Sequence, residues 1–301
     1  MSRRGWILFA AMCLIWGVPY LLIRVAVRDF SPASVVFFRT VVGALVLLPV
    51  AVRRGDLPAV FRRWRPLLLY TAIEVTLPWW LLSTAEQHLS SALAGLLLAA
   101  VPLFGVALSR VLGTGEVFSG VRLVGLLVGL AGVAALVGLQ VQHADSWAIA
   151  ACLVTAFGYA AGPLVLSRRL SDLPAVGVVT ASLLLTAVVW LAPAVATFPT
   201  RASAKVVASI IGLALVCTAA AFLIFFKLIA EVGPTRATVI TYVNPAVAIL
   251  LGVLILGESF TIGMAVGFPL VIVGSILATR SAAGRPPALL PEVVDEVSVN
   301  G

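Results

Sequence analysis

Long apolar runs alternate along the chain with short breaks of charge, proline, glycine or small polar residues. A hydrocarbon core of about 30 Å needs roughly 20 apolar residues per helix. On that ruler the breaks delimit candidate spans at Trp6–Val25, Pro32–Val52, Pro66–Ala85, Ser90–Leu112, Ser119–Leu139, Ser146–Leu166, Leu173–Thr197, Val206–Ala230, Thr235–Leu256 and Thr261–Ala278. Runs such as Leu93–Val101 and Val247–Leu256 do not alternate apolar with polar residues, as strands of a closed membrane barrel do. The pattern therefore predicts an all-α integral membrane protein with ten transmembrane helices. The first run, behind Arg3 and Arg4, is too long for a signal-peptide core, and Cys13–Ile23 lacks a small-residue cleavage site, so it is read as a helix.

Composition agrees and excludes other classes. Apolar residues make up 62% of the 301 and charged residues 11%, against roughly 25% charged in an average soluble domain. A cytosolic enzyme, a nucleic-acid binder and a disulfide-stapled secreted scaffold are thereby excluded. The net charge of +8 comes from cations scattered between the apolar runs, which read as topology signals. With the N-terminus inside, fifteen Lys and Arg fall in cytoplasmic segments, four (Arg24, Arg28, Arg201, Lys205) fall outside, and Arg39 lies within a helix. That asymmetry predicts both termini in the cytoplasm. Residues 281–301, with Pro286, Pro287 and Pro291, read as a disordered cytoplasmic tail. Cys13, Cys152 and Cys217 sit in apolar runs and are expected to be buried and unpaired.

The chain also repeats itself. Gly115-Glu116, Gly125 and Gly132 recur as Gly257-Glu258, Gly267 and Gly274, 142 residues later. Trp6 and Gly17 recur at Trp147 and Gly158, offset 141, and Pro102 at Pro245, offset 143. The ordered set divides the chain into five-helix units at 6–139 and 146–280. An odd helix number inverts the second unit in the membrane, and inverted repeats are the structural basis of alternating access around a site near the midplane.

Trp16-Gly17 in the first span, Arg39 in the second, Pro102 in the fourth and Gly115-Glu116 before the fifth resemble the EamA-type drug/metabolite transporter superfamily. Phe157-Gly158, Asn244-Pro245 and Gly257-Glu258 repeat the pattern, although Phe157 replaces the tryptophan and Ala181 stands where a second arginine is expected. The resemblance covers roughly residues 6 to 280. It implies transport of small metabolites, commonly export of amino acids or related compounds, and does not fix the substrate.

Candidate site residues follow from their depth. Glu74 falls near the middle of the third span, with Tyr70, Thr71 and Pro78 on its face. A carboxylate there is costly and faces protein or water. Its functional reading is a proton carrier or a counter-charge for a cationic substrate, and its structural reading is an ion pair. Arg39 lies nearer the outside and is within reach of Glu74, so a Glu74–Arg39 pair is the bland expectation; binding an anionic substrate group is the other. Thr238, Thr241, Tyr242 and Pro245, with Asn244 adjacent, make a face that lines a substrate path or hydrogen-bonds between helices. Trp16 and Tyr20, one turn apart, pack or line the cavity; Trp79 and Trp80 follow Pro78. Gly125-x-x-x-Gly129 and Gly263-x-x-x-Gly267 read as close helix packing, while Pro102 and Pro245 are candidate hinges. Glu116 and Glu258 sit at helix starts, where a carboxylate complements the dipole. His88 and His143 lie in expected outer loops without metal-ligand spacing. No P-loop, G-x-S-x-G or H-E-x-x-H occurs.

These features predict a secondary transporter without cofactor or metal. Its expected partners are a small-molecule substrate, membrane lipid and, as a candidate, protons. The alternatives are an uncoupled exchanger or facilitator and, less favoured, a membrane receptor or enzyme.

Overall fold

The structure is a computed structural model that describes residues 2–112, 120–138, 145–232 and 240–279. Thr238, Glu116, Gly115, His143 and the tail 281–301 lie outside the described residues, as does the side chain of Tyr242. Among the described residues there are helices and no strands.

The helical rods are α1 (Arg3–Ala26), α2 (Pro32–Arg54), α3 (Trp64–His88), α4 (Ser91–Val111), α5 (Gly120–Gly138), α6 (Ser146–Arg169), α7 (Ala175–Ala196), α8 (Ala204–Val232), α9 (Ile240–Leu256) and α10 (Ile262–Thr279). Seven of them, α1 to α4 and α6 to α8, are long and apolar enough to cross a membrane; α5, α9 and α10 carry shorter apolar stretches. A short helix, Asp56–Arg62, follows α2 and was not expected from the sequence.

Side-chain caps fix where several rods begin. Ser2, Ser31, Ser90 and Ser203 each accept a backbone N–H three residues on, and Asp145 accepts that of Trp147. Each satisfies one of the donors that a helix start leaves without an intrahelical partner. At the other end of α2, Gly55 takes a left-handed conformation, φ 69°, that only glycine adopts without penalty.

Four rods are not continuous α-helix. α1 breaks at Val18–Pro19 and α4 at Ala99–Ala100, just before Pro102. α3 and α8 carry π-helical turns at Ala72–Thr76 and Leu215–Ala220. In α3 the cause is Pro78, which lacks an N–H and crowds the carbonyl one turn earlier, that of Glu74.

The bundle buries polar residues and exposes apolar ones. Glu86 is 0% and Arg39 7% exposed, while Val188 is 71% and Leu254 72% exposed. Such a surface suits lipid. α5 packs along α10 so closely that their backbones touch. A Cβ on Gly274 would stand 2.5 Å from Gly129 Cα and 2.7 Å from the Gly125 carbonyl. The contact runs between Gly125 and Gly129 on α5 and Gly274 on α10, and Gly263 and Gly267 are buried on the same helix as Gly274.

The rods alternate in direction, so side-chain links gather at two ends. At the end where α1 starts, Ser2 hydrogen-bonds Glu231 of α8, and Arg63 makes a two-pronged pair with Asp172, 2.7 and 2.9 Å. At the far end Ser31 meets Thr197 (2.6 Å), Asp29 accepts from Ser203 N–H (2.9 Å), and His88 lies 3.6 Å from Asp145. His88 is thus the last residue of α3 and not a loop residue.

Gly274→Val forces α5 and α10 apart and should cost about 1–3 kcal/mol, the usual penalty for overpacking. Gly105→Ala, where a Cβ meets nothing within 4 Å, should leave stability unchanged or raise it. Thermal unfolding of both variants in detergent checks the contrast; equal melting temperatures would contradict the packing assignment.

Candidate functional site

The site is built on the two π turns and the helices that face them. In α3 the π turn carries Glu74. A Cβ on Gly162 of α6 would overlap Glu74 Oε2, so the carboxyl group occupies the space that this missing side chain leaves. That oxygen is buried and has no hydrogen-bond partner among the described residues. One turn earlier in α6, Gly158 lies against the Ile73 carbonyl and Pro78, where a Cβ would come 2.9 Å from Pro78 Cγ. These two glycines seat α6 on the distorted part of α3.

Arg39 comes from the first half of α2, seven residues after its first residue, Pro32. Its Nε donates to Thr218 Oγ1 at 2.9 Å, and its guanidinium carbon lies 3.6 Å from the centroid of the Trp79 ring. Thr218 belongs to the π turn of α8 and also donates to the Leu213 carbonyl, 2.9 Å. Gly43, one turn beyond Arg39, leaves room for this approach: a Cβ there would sit 3.0 Å from Thr218 Cγ2. An arginine over a tryptophan face is a cation–π arrangement, which strengthens when water is excluded. Its two Nη groups hold no hydrogen bond among the described residues.

Tyr159 of α6 packs against the Trp79 cluster. It is within electrostatic reach of Arg39, Glu74 and Glu86 together. Tyr20 of α1 is buried in the same region, 3.5 Å from a Cβ placed on Gly95 of α4, and interacts with Tyr159, Glu86 and Arg39. Tyr159 and Arg39 thus meet at Trp79, and Tyr20 and Glu74 lie within electrostatic range of Tyr159.

The expected Glu74–Arg39 pair is not formed. The described salt bridges are Arg63–Asp172 and His88–Asp145, and Arg39 is instead turned to Thr218 and Trp79. The physical reason is the π turn of α8, which presents a hydroxyl to the guanidinium, while Glu74 is turned to Gly162.

Other candidates lie elsewhere. Trp16 packs on Phe222 and Phe225 of α8, with ring centroids 6.1 and 4.6 Å away. Asn244 is buried, and with its amide oriented so that the nitrogen faces the two acceptors it donates to the Cys13 carbonyl (3.2 Å) and the Ile240 carbonyl (3.0 Å), which ties α9 to α1. Gly17 seats that contact, where a Cβ would be 3.2 Å from the Asn244 carbonyl oxygen. Thr241 is half-buried on α9, and Pro245 lies inside that helix. Glu258 does cap a helix start, but of α4 and not of α10. Its oxygens accept from Ser91 N–H (2.8 Å), Ser91 Oγ (3.0 Å) and Ala92 N–H (2.9 Å). Cys13, Cys152 and Cys217 are buried and free.

Sequence reasoning missed Glu86, Thr218 and Tyr159. Glu86 fell one residue beyond the span ending at Ala85, whereas α3 runs on to His88. Thr218 is a single polar residue within an apolar run, and its signal was only that isolation.

Taken together, an all-helical bundle of long apolar helices with apolar outer faces and charged groups turned inward defines a multi-pass membrane protein. The model of the EamA-like transporter family matches residues 3–138 and again 146–280, and the chain belongs to that family. It is 28% identical over 300 residues to the inner membrane transporter YedA of Escherichia coli K12, covering 96% of this chain and 95% of that one. It is 23% identical to the transporter YvbV of Bacillus subtilis over 293 residues, 96% of each chain. A solved crystal structure, 22% identical, shares the fold with a TM-score of 0.66 across 92% of this chain and 98% of that one. The protein is a membrane transporter.

Thr218→Val removes the acceptor of a buried charged donor and should cost about 1.5–3 kcal/mol, whereas Thr218→Ser should retain most of that stability. Detergent melting curves of the two variants test it; equal effects would show that the hydroxyl does not hold Arg39.

Proposed function

We propose that the chain is a secondary transporter that moves a small organic metabolite, an amino acid, amine or related compound, outward across the cytoplasmic membrane by alternating access. Its frame is ten transmembrane helices in two inverted five-helix repeats, 6–139 and 146–280, with both termini cytoplasmic. The family model matching twice in succession supports the repeat. So do the π turns, which begin at Ala72 and Leu215, 143 residues apart, close to the offsets in the sequence.

Alternating access needs two like halves held in unlike conformations. Gly17 and Gly158 are equivalent positions of the two repeats, yet Gly17 seats α1 on α9 while Gly158 seats α6 on α3. Exchanging those two arrangements is the motion the repeat makes available. The 15-to-4 bias of Lys and Arg supports the orientation.

The observation that carries the reading is the cluster around Tyr159, where a buried guanidinium and a buried carboxyl group lie in one interior without pairing. A guanidinium and a carboxyl group left apart inside a membrane protein are available to a solute: the Arg39 Nη groups to a carboxylate or other anion, the Glu74 carboxyl group to an ammonium or a proton. An intramembrane ionisable residue is costly enough to mark a transport path by default.

Proton movement in proteoliposomes of purified protein, screened against amino acids, amines and organic acids, tests this. We expect a substrate-dependent proton flux that Glu74→Gln abolishes. Counterflow of labelled substrate intact in both proteins without proton flux would replace the coupled carrier by an exchanger or facilitator. Neither flux nor counterflow for any of these solutes would overturn the substrate class.

A further inference from the structure

Glu86 is a second interior carboxyl group, in the last turn of α3, twelve residues beyond Glu74 and so about 18 Å further along at about 1.5 Å per residue. It is 0% exposed, and both its carboxyl oxygens are buried without a hydrogen-bond partner among the described residues. The titratable and charged groups that interact with it electrostatically are Tyr20 and Arg24 of α1, Arg39 of α2, Cys152 and Tyr159 of α6, and Glu258 beyond α9.

Neither cation neutralises it. Arg24 lies closest, but its Nη1 donates to the backbone carbonyls of Glu86 and Gln87 and not to the carboxyl group. The guanidinium of Arg39 is turned to Thr218 and Trp79. Glu258 carries the same charge and is fully engaged at the start of α4. An ionised carboxylate in this position would have no hydrogen-bond donor among the described residues, and burial penalises a charge left so. A hard metal ion would need about six oxygen ligands or more, and among the described residues no group of three or more acidic, histidine or cysteine side chains could hold one.

We propose that Glu86 is a proton-binding site of the far end of the bundle. In this conformation the group is a neutral carboxylic acid; when the far end opens and water reaches it, one proton leaves to that water and a carboxylate remains. Reclosing the end takes one proton back. This gives the far end a proton-linked step that is separate from Glu74 and does not rest on the identity of any substrate.

Infrared spectra of the purified, substrate-free protein at neutral pH test it directly. The wild-type minus Glu86→Gln difference should contain the carbonyl stretch of a protonated carboxyl group, displaced in heavy water. A difference made of the two carboxylate stretches would show Glu86 ionised and overturn the proposal. Should glutamine prevent folding, Glu86→Met, similar in shape and apolar, supplies the same subtraction. Because no substrate or gradient is involved, this result stands or falls independently of the Glu74→Gln flux.

Discussion

Hydrocarbon offers a polar group nothing to bond to, and the architecture follows from that constraint. Each charge in the apolar interior must turn toward protein, and each departure from regular helix must occur where a neighbour can cover it. Arg39 meets the constraint most directly. Its guanidinium is held by one hydroxyl and one indole face, Thr218 and Trp79, supplied by two different helices. The hydroxyl is in place because α8 widens to a π turn there, and α8 can approach because position 43 has no side chain.

The same logic extends to Glu74. Pro78 spoils one backbone hydrogen bond in α3, the helix widens one turn earlier, and the widened turn carries the carboxyl group against Gly162. Distortion and polar side chain therefore come as a pair in both α3 and α8, the two helices that bracket the interior. α5 and α10, by contrast, join through Gly125, Gly129 and Gly274 with backbones in contact.

Much of this was legible in the chain. The apolar runs placed the helices to within a few residues, and the glycine spacing of α5 announced its close packing. What the chain withheld were contacts between distant segments. Arg39 and Glu74 have complementary charges at compatible depths, so a pair was the natural expectation, but pairing depends on which way each helix is rotated and on a π turn that no local pattern reveals. Glu258 was legible as a capping group; that it caps α4, 167 residues from Ser91, was not. Glu86 was lost because a charged residue at the end of an apolar run reads as the start of a loop, whereas here the helix continues and buries it.

The links across the two ends join the first five helices to the last five: Ser2–Glu231 and Arg63–Asp172 at one end, Ser31–Thr197, His88–Asp145 and Glu258–Ser91 at the other. Alternating access requires one set to part while the other holds. Spin labels at the exposed positions 62 and 171 report on the first end, and at 87 and 146 on the second. Distances from electron paramagnetic resonance in lipid nanodiscs, with and without transported substrate, should change in opposite senses at the two ends. Distances that stay fixed, or that lengthen together, would contradict alternating access.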